Sequence, residues 1–437
     1  MRGRALLLVI TTAVALMVAT GVALAAEISC EAGTPCTGTS KADTMTGTTG
    51  PDDMDGRRGA DTLIARAGAD TLLGGVGNDD VSAGLGSDPT INGGAGNDSL
   101  SGDEGHDTYL FSAGWGADII PAAGEGAGMG TDTLDFHSLR IVDPLVVDLR
   151  WSANRDEAYL AEGTDTLNFT DGTVEIERVT GGEARDLISG NELPNRLTGN
   201  GGDDVLDGRG NDDILAAGLG ADALEGGVGN DDLNGGVGND VYLFEGGWGQ
   251  DSIVADALGT DRLFFGRLTS PVTVDLVTGT ASAGTNTVNW SGDFVDNVTG
   301  GTEDDRLHGD DSGNVFHGQG GADEMDGRGG EDEIYGRGGG DTALSGGPGL
   351  DRIFGDHPDF PAEIGNDTLD GGTEADSLDG GPGADNITGG AGMDIIAGGD
   401  GDDTINASDG EGDTIDCGPG TDTVSFDDTI DVLNNCE

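Results

Sequence analysis

An aspartate returns every nine residues with an apolar residue two places behind it, and this phase-locked pair constrains the fold more than any other feature of the chain. The first array runs Asp61, Asp70, Asp79 and Asp88, slips by one residue, and continues at Asp98 and Asp107; the trailing positions include Leu63, Leu72, Val81, Leu100 and Tyr109. The second runs without a break through Asp186, Asn195, Asp204, Asp213, Asp222, Asp231 and Asp240. The third runs Asp305, Asn314, Asp323, Asp332, Asp341 and, after a slip, Asp351; it restarts at Asp367, Asp376, Asp385, Asp394 and Asp403 and finishes at Asp413 and Asp422. Between the aspartates lie glycines, and windows starting at Gly74, Gly93, Gly226, Gly235, Gly246, Gly346, Gly380, Gly389 and Gly398 read Gly-Gly-x-Gly-x-Asp in full. A six-residue loop that reverses the chain needs positive φ at several positions, which glycine adopts without a side-chain clash. The three residues left per unit can form only a brief strand, its centre pointing inward and its neighbours outward. One such strand buries nothing, so the pattern predicts successive strands stacked into two narrow parallel sheets joined by turns, an all-β solenoid.

The charge balance narrows the partners. Of 437 residues, 83 are Asp or Glu and 19 are Lys or Arg, a net charge of −64 that repels nucleic acid and anionic membrane surfaces and attracts cations. Gly supplies 85 residues and aromatics 4%, which argues against a thick conventional core. Such a composition also suits disorder. Disorder, however, gives no reason for large apolar residues to keep one phase of the cycle. In a stacked solenoid the loops form columns that bring one carboxylate per turn close to the next, and like charges there oppose folding unless a cation intervenes. Ca²⁺ is the hard cation that takes six or more oxygens from carboxylates and bare loop carbonyls in flexible geometry; Mg²⁺ demands a tighter octahedron, and Zn²⁺ would want His or Cys.

These Gly-Gly-x-Gly-x-Asp-x-Leu-x units resemble the calcium-binding repeats of the RTX (repeats-in-toxin, haemolysin-type) family. The resemblance implies a right-handed parallel β-roll in which two nonapeptides make one coil and Ca²⁺ sits between successive loops on the same side. Carried onto this chain, it implies that Asp79, Asp98, Asp231, Asp240, Asp251, Asp351, Asp385, Asp394 and Asp403 are ligands. Asp61, Asp70, Asp204, Asp222, Asp323, Asp332, Asp341, Asp367, Asp376 and Asp422 follow from more degenerate loops, with Asn195 and Asn314 as weaker substitutes. Folding is expected to be coupled to ion binding.

Two blocks interrupt the period. Asp107-Thr-Tyr-Leu-Phe with Gly-Trp115-Gly-Ala-Asp118 reappears as Asp240-Val-Tyr-Leu-Phe with Gly-Trp248-Gly-Gln-Asp251, and both copies continue through Val-Asp-Leu (Asp148, Asp275) to Val-Thr-Gly-Gly (Gly181, Gly300). Their Val, Ile, Thr and Phe content favours strands, as longer rungs or protecting caps. Trp115, Trp248, Trp151 and Trp290 are expected in the core; exposed, they would be stacking platforms for cell-wall or matrix glycans, and a glycan-binding or glycan-active protein is the alternative reading of these blocks. An enzyme would need a catalytic constellation. The histidines His106, His137, His308, His317 and His357 form no His-Glu-x-x-His arrangement and there is no Gly-x-Ser-x-Gly elbow, so no catalytic role is expected.

Arg2 and Arg4 precede an apolar stretch ending in Ala23-Leu24-Ala25, which reads as a Sec-type signal peptide and predicts a secreted, extracellular protein whose mature chain does not insert in a membrane. Four cysteines allow three pairings; local pairs, Cys30 with Cys36 and Cys417 with Cys436, are expected to staple the two ends. The expected organisation is a signal peptide (1–25), an N-terminal cap with a cysteine pair (26–60), array 1 (61–111), a β-rich block (112–185), array 2 (186–242), a second block (243–304), array 3 with a loop insertion near 357–363 (305–424), and a C-terminal cap (425–437).

Overall fold

The computed structural model describes residues 25–121, 130–139, 145–149, 157–160, 166–170, 176–254, 258–292, 295–356, 364–427 and 429–436. The segment read as a signal peptide, Trp151 and the insertion at 357–363 lie outside the described residues, apart from Ala25. Every described element is a strand, and the molecule is a parallel β-solenoid in which two nonapeptides make one turn. Alternate strands fall in alternate sheets. In one, Met45, Leu63 and Val81 stand in register 18 residues apart, and Leu206, Leu224 and Tyr242 repeat the spacing. In the other, Met54 is level with Leu72 and Leu72 with Ile91, the one-residue slip being taken up in the loop.

The short strands dictate the core. With three strand residues per half-turn only the middle one points inward, so the interior is a file of single side chains from each sheet, among them Leu63, Leu72, Val81, Ile91, Leu206 and Leu215, all at most 1% exposed. The disulfides Cys30–Cys36 and Cys417–Cys436 close the two ends, as local pairing predicts. The solenoid starts earlier than the first recognisable repeat: Ala26–Ser29 already pairs with Asp43–Thr46.

The two blocks are inserts in the plane of a sheet. In the first, Leu145–Asp148, Glu157–Leu160 and Thr166–Thr170 form an antiparallel meander; its last strand pairs parallel with Ala117–Pro121 and its first with Leu187–Ser189. In the second, Thr273–Asp275, Thr280–Ala283 and Asn286–Asn289 do the same between Gln250–Ile253 and Arg306–His308, but in the opposite sheet. An insert lengthens one sheet by two strands, about 10 Å, relative to its partner. Behind each insert's entry sits an aromatic trio that fills the interior: Phe111, Trp115 and Phe136 with centroids 4.9–5.5 Å apart, and Phe244, Trp248 and Phe265 at 5.1–5.7 Å.

Candidate metal columns

Each loop ends where its aspartate turns inward to start the next strand, and within an array the aspartates of one edge form a ladder. The backbone N–H of Asp43 donates to Oδ1 of Asp61 (2.7 Å), Asp61 to Asp79 (2.7 Å), Asp79 to Asp98 (2.8 Å) and Asp98 to Asp118 (2.8 Å). The opposite edge links Asp52, Asp70, Asp88 and Asp107 in the same way. Within the third array Asp341 donates to Asp367 (2.8 Å) over a separation of 26 residues; at the blocks other residues take the ladder positions, Asp132 donating to Glu177 and the N–H groups of Leu145 and Val272 donating to Asp186 and Asp305. All nineteen aspartates singled out from the sequence stand in these columns, and all but Asp422 are buried. The sequence reading left out others that the structure adds, including Asp43, Asp52, Asp118, Asp213 and Asp261. The signal was present in each case: an apolar core residue two places on, as in Asp43-Thr-Met45 and Asp118-Ile-Ile120.

Oδ1 is thus taken by the ladder, and the second oxygen distinguishes two kinds of loop. In the first kind the loop closes on itself: the N–H of Thr39 donates to Asp43 Oδ2 (2.6 Å), Thr48 to Asp52 Oδ2 (2.6 Å), Gly182 to Asp186 Oδ2 (2.7 Å) and Asp427 to Asp431 Oδ2 (2.6 Å). Asn195 and Asn314 sit in closed loops too, their Oδ1 accepting from Asn191 and Asp310. In the second kind the corresponding residue has positive φ, as at Arg57 (72°), Gly75 (109°), Gly218 (120°) and Gly390 (105°), and the chain stays in register with the neighbouring turn. That N–H no longer reaches the carboxylate. Accordingly Oδ2 of Asp61, Asp79, Asp204, Asp231, Asp341 and Asp385 is buried with no hydrogen-bond partner, and the same holds at the other predicted ligand positions, Asp240 set aside.

A buried carboxylate oxygen left unpaired is costly. Burial pushes the Asp61 and Asp79 carboxyls up to about 6 and those of Asp204, Asp251 and Asp341 up to about 8; the ladder N–H works the other way, and neighbouring carboxylates add to the rise. The orphan oxygen faces a niche kept open by the first glycine of its loop. A Cβ on Gly74 would lie 2.7 Å from Asp79 Oδ2 and 2.5 Å from the Gly93 carbonyl oxygen of the next turn; on Gly380 it would lie 2.5 Å from both Asp385 Oδ2 and the Gly398 oxygen. Carboxylate and carbonyl oxygens converge there without nitrogen or sulfur donors, a donor set that fits Ca²⁺. Among the described residues no three His, Cys, Asp or Glu side chains gather as a metal group. The acids arrive singly, one per loop per turn, so the remainder of an oxygen shell would fall to loop carbonyls.

At two interfaces the chain supplies its own cation. Arg209 donates to the Gly190 carbonyl (2.6 Å) of the Asn195 loop and to Asp148 (2.8 Å); Arg328 donates to the Gly309 carbonyl (2.7 Å) of the Asn314 loop and to both oxygens of Asp275 (3.1 Å each). The hydrogen bond from Arg328 is the main cause that holds the Asp275 carboxyl below its ordinary value. Asp148 and Asp275 are the aspartates of the duplicated Val-Asp-Leu, so the same clasp recurs after both blocks. Trp115, Trp248 and Trp290 are 1, 2 and 7% exposed and belong to the core, which removes them as stacking platforms.

No curated protein matches the chain. Among solved structures it is similar to the crystal structure of a hyperactive, Ca²⁺-dependent, β-helical antifreeze protein from an Antarctic bacterium, at 16% identity over 82% of this chain and 79% of that one, with a TM-score of 0.19. The model of the RTX calcium-binding nonapeptide repeat (4 copies) matches residues 37–72, 55–88, 90–120, 180–215, 189–224, 208–242, 290–324, 308–343, 362–392, 381–412 and 388–424. These overlapping stretches cover more than half of the sequence and coincide with the columns of stacked aspartates: the chain belongs to the RTX calcium-binding nonapeptide repeat family.

Proposed function

We propose that this is a secreted solenoid that folds around Ca²⁺ and acts outside the cell as a structural, adhesive or ion-sequestering element. The calcium-binding repeats give its structural role. The observation that carries the ligand assignment is the contrast between loops: those that close on their own carboxylate need no ion, whereas the open loops leave Oδ2 buried and unpaired. The proposed ligands are Asp61, Asp70, Asp79, Asp98, Asp204, Asp222, Asp231, Asp240, Asp251, Asp323, Asp332, Asp341, Asp351, Asp367, Asp376, Asp385, Asp394, Asp403 and Asp422; Asp88 and Asp213 share the open loop and the orphan oxygen. When bound, the ion supplies the positive charge that lets these carboxylates ionise inside the stack. The extracellular assignment draws support from the Arg2/Arg4 and Ala23–Ala25 pattern and from the two disulfides.

Equilibrium dialysis against ⁴⁵Ca²⁺ tests the ligand assignment. Asp231→Asn with Asp385→Asn is expected to lower the number of ions bound, whereas Asp43→Asn, in a closed loop, leaves it unchanged. Equal losses from both kinds of loop would overturn the distinction. Secretion is tested by sequencing the N-terminus of protein recovered from the medium, which is expected to begin at Ala26.

A further inference from the structure

Three neighbouring strands at the junction of the first block and array 2 carry a feature that calcium binding does not use. Thr133, Arg178, Thr180, Arg196 and Thr198 line a groove of about 380 Å³ on the outer face of Asp132–Asp135, Ile176–Thr180 and Arg196–Gly201. Thr133 is level with Arg178 and Arg178 with Arg196; Thr180 is level with Thr198. Two guanidiniums therefore leave adjacent strands side by side, a placement of like charges that destabilises a sheet unless an anion lies between them.

Both arginines are exposed and, among the described residues, neither pairs with a carboxylate, in a chain with more than four acids for each base. Arg209, Arg267, Arg306, Arg328 and Arg352 make ion pairs; among the other described arginines without one, Arg178 and Arg196 differ in standing level with each other on adjacent strands. Of the neighbouring acids, Asp135 is level with Thr180 and is hydrogen-bonded by His137, and Glu177, next to Arg178 in the chain, accepts from the Asp132 N–H. The junction of the second block with array 3 is an internal control: at the corresponding places stand Asn297 and Val315, again level with each other, with Arg262 where the first copy has Thr133. The fold is built without the arginines there, so their presence in the first copy is not a structural requirement.

We propose that this groove binds a carboxylate-bearing sugar, the carboxylate lying between Arg178 and Arg196 and the sugar hydroxyls against Thr133, Thr180 and Thr198. Paired guanidiniums match a planar oxyanion, and threonine hydroxyls both donate and accept. The charge of −64 selects the ligand class, because it repels a dense polyanion and admits a single charge on an otherwise neutral, polyhydroxylated body. The site needs the folded chain but none of the aspartate ligands.

Isothermal titration of the full mature chain at fixed, saturating free Ca²⁺ tests it, with glucuronate, glucose and inorganic sulfate as probes. Glucuronate is expected to bind in the millimolar range, sulfate more weakly and glucose not at all. Arg178→Gln with Arg196→Gln is expected to weaken glucuronate binding at least tenfold with an unchanged circular-dichroism spectrum and calcium stoichiometry; Arg262→Gln, on the matching face of the second block, leaves it unchanged. Absence of glucuronate binding, or binding indifferent to the double substitution, would overturn the site, and sulfate binding as tight as glucuronate would overturn the sugar assignment.

Discussion

Glycine at the second loop position does more than turn the chain. A Cβ on Gly75 (φ 109°) would stand 2.3 Å from the Arg57 carbonyl oxygen of the preceding turn, so Gly75→Ala combines backbone strain with a clash against backbone that cannot move aside. The expected cost is about 1–3 kcal/mol, read as a lower melting temperature at saturating Ca²⁺. Non-glycine residues do occupy this position, as Arg57, Arg66 and Gln319 do, but at φ of 72–85°, inside the left-handed basin. The aspartate of an open loop, such as Asp61, Asp204 or Asp341, sets the pH response. Its folded pKa is raised, to about 6 at Asp61 and about 8 at Asp204 and Asp341, while the unfolded chain keeps a value near 3.9. A raised folded value means that the stability of the ion-free fold is fully present below the unfolded pKa and is lost as pH rises through about 6 to 8. In chelator, β-structure is therefore expected to increase as pH falls from 8 to 5, the reverse of ordinary acid denaturation; a metal-free spectrum that loses β-structure over that window would contradict the burial of these carboxylates.

Among the elements, the nonapeptide was the most legible because its period coincides with half a turn. Asp79 and Val81 could be placed from spacing alone: one residue ends the loop and the other is the only strand residue that can face inward. The blocks were less legible for a physical reason. Sequence shows that Tyr109 and Tyr242 are equivalent, but not that the copies enter opposite sheets, since that depends on how slips and inserts accumulate between them. Nor could spacing reveal that Arg209 would reach Asp148 across 61 residues, or that the Asn195 and Asn314 loops, read as weak ligand loops, are closed and bridged by an arginine. The clasps give those turns a cation that no chelator removes. Arg209→Gln with Arg328→Gln strands the buried carbonyls of Gly190 and Gly309 and is expected to cost about 1–3 kcal/mol per site, detectable as lost residual structure in chelator. An unchanged ion-free spectrum would refute the idea that the clasps hold these turns without metal. Within the core, Leu233→Ala removes one member of a single file that has no second layer to fill the gap, so destabilisation of about 2–5 kcal/mol is expected by thermal melting.

For the molecule as a whole, each turn contacts only its neighbours, so stability is close to a sum over interfaces. The closed loops flank the arrays, at Asp43 and Asp52 in the N-terminal cap, at Asp186 and Asn195, at Asp305 and Asn314, and again at the last turn with Asp431. Between them lie the open loops, whose unpaired carboxylates make the ion-free stack unfavourable at neutral pH. Structure, charge and family membership thus lead to one expectation, that most of the solenoid exists only with its ions. The most direct test is a calcium titration of chelator-stripped mature protein at pH 7.5, following far-UV circular dichroism and heat together. The account predicts a cooperative rise of β-structure that saturates at many ions per chain and is not reproduced by Mg²⁺. A chain already β-rich in chelator, with an unchanged spectrum and no heat on adding calcium, would contradict it.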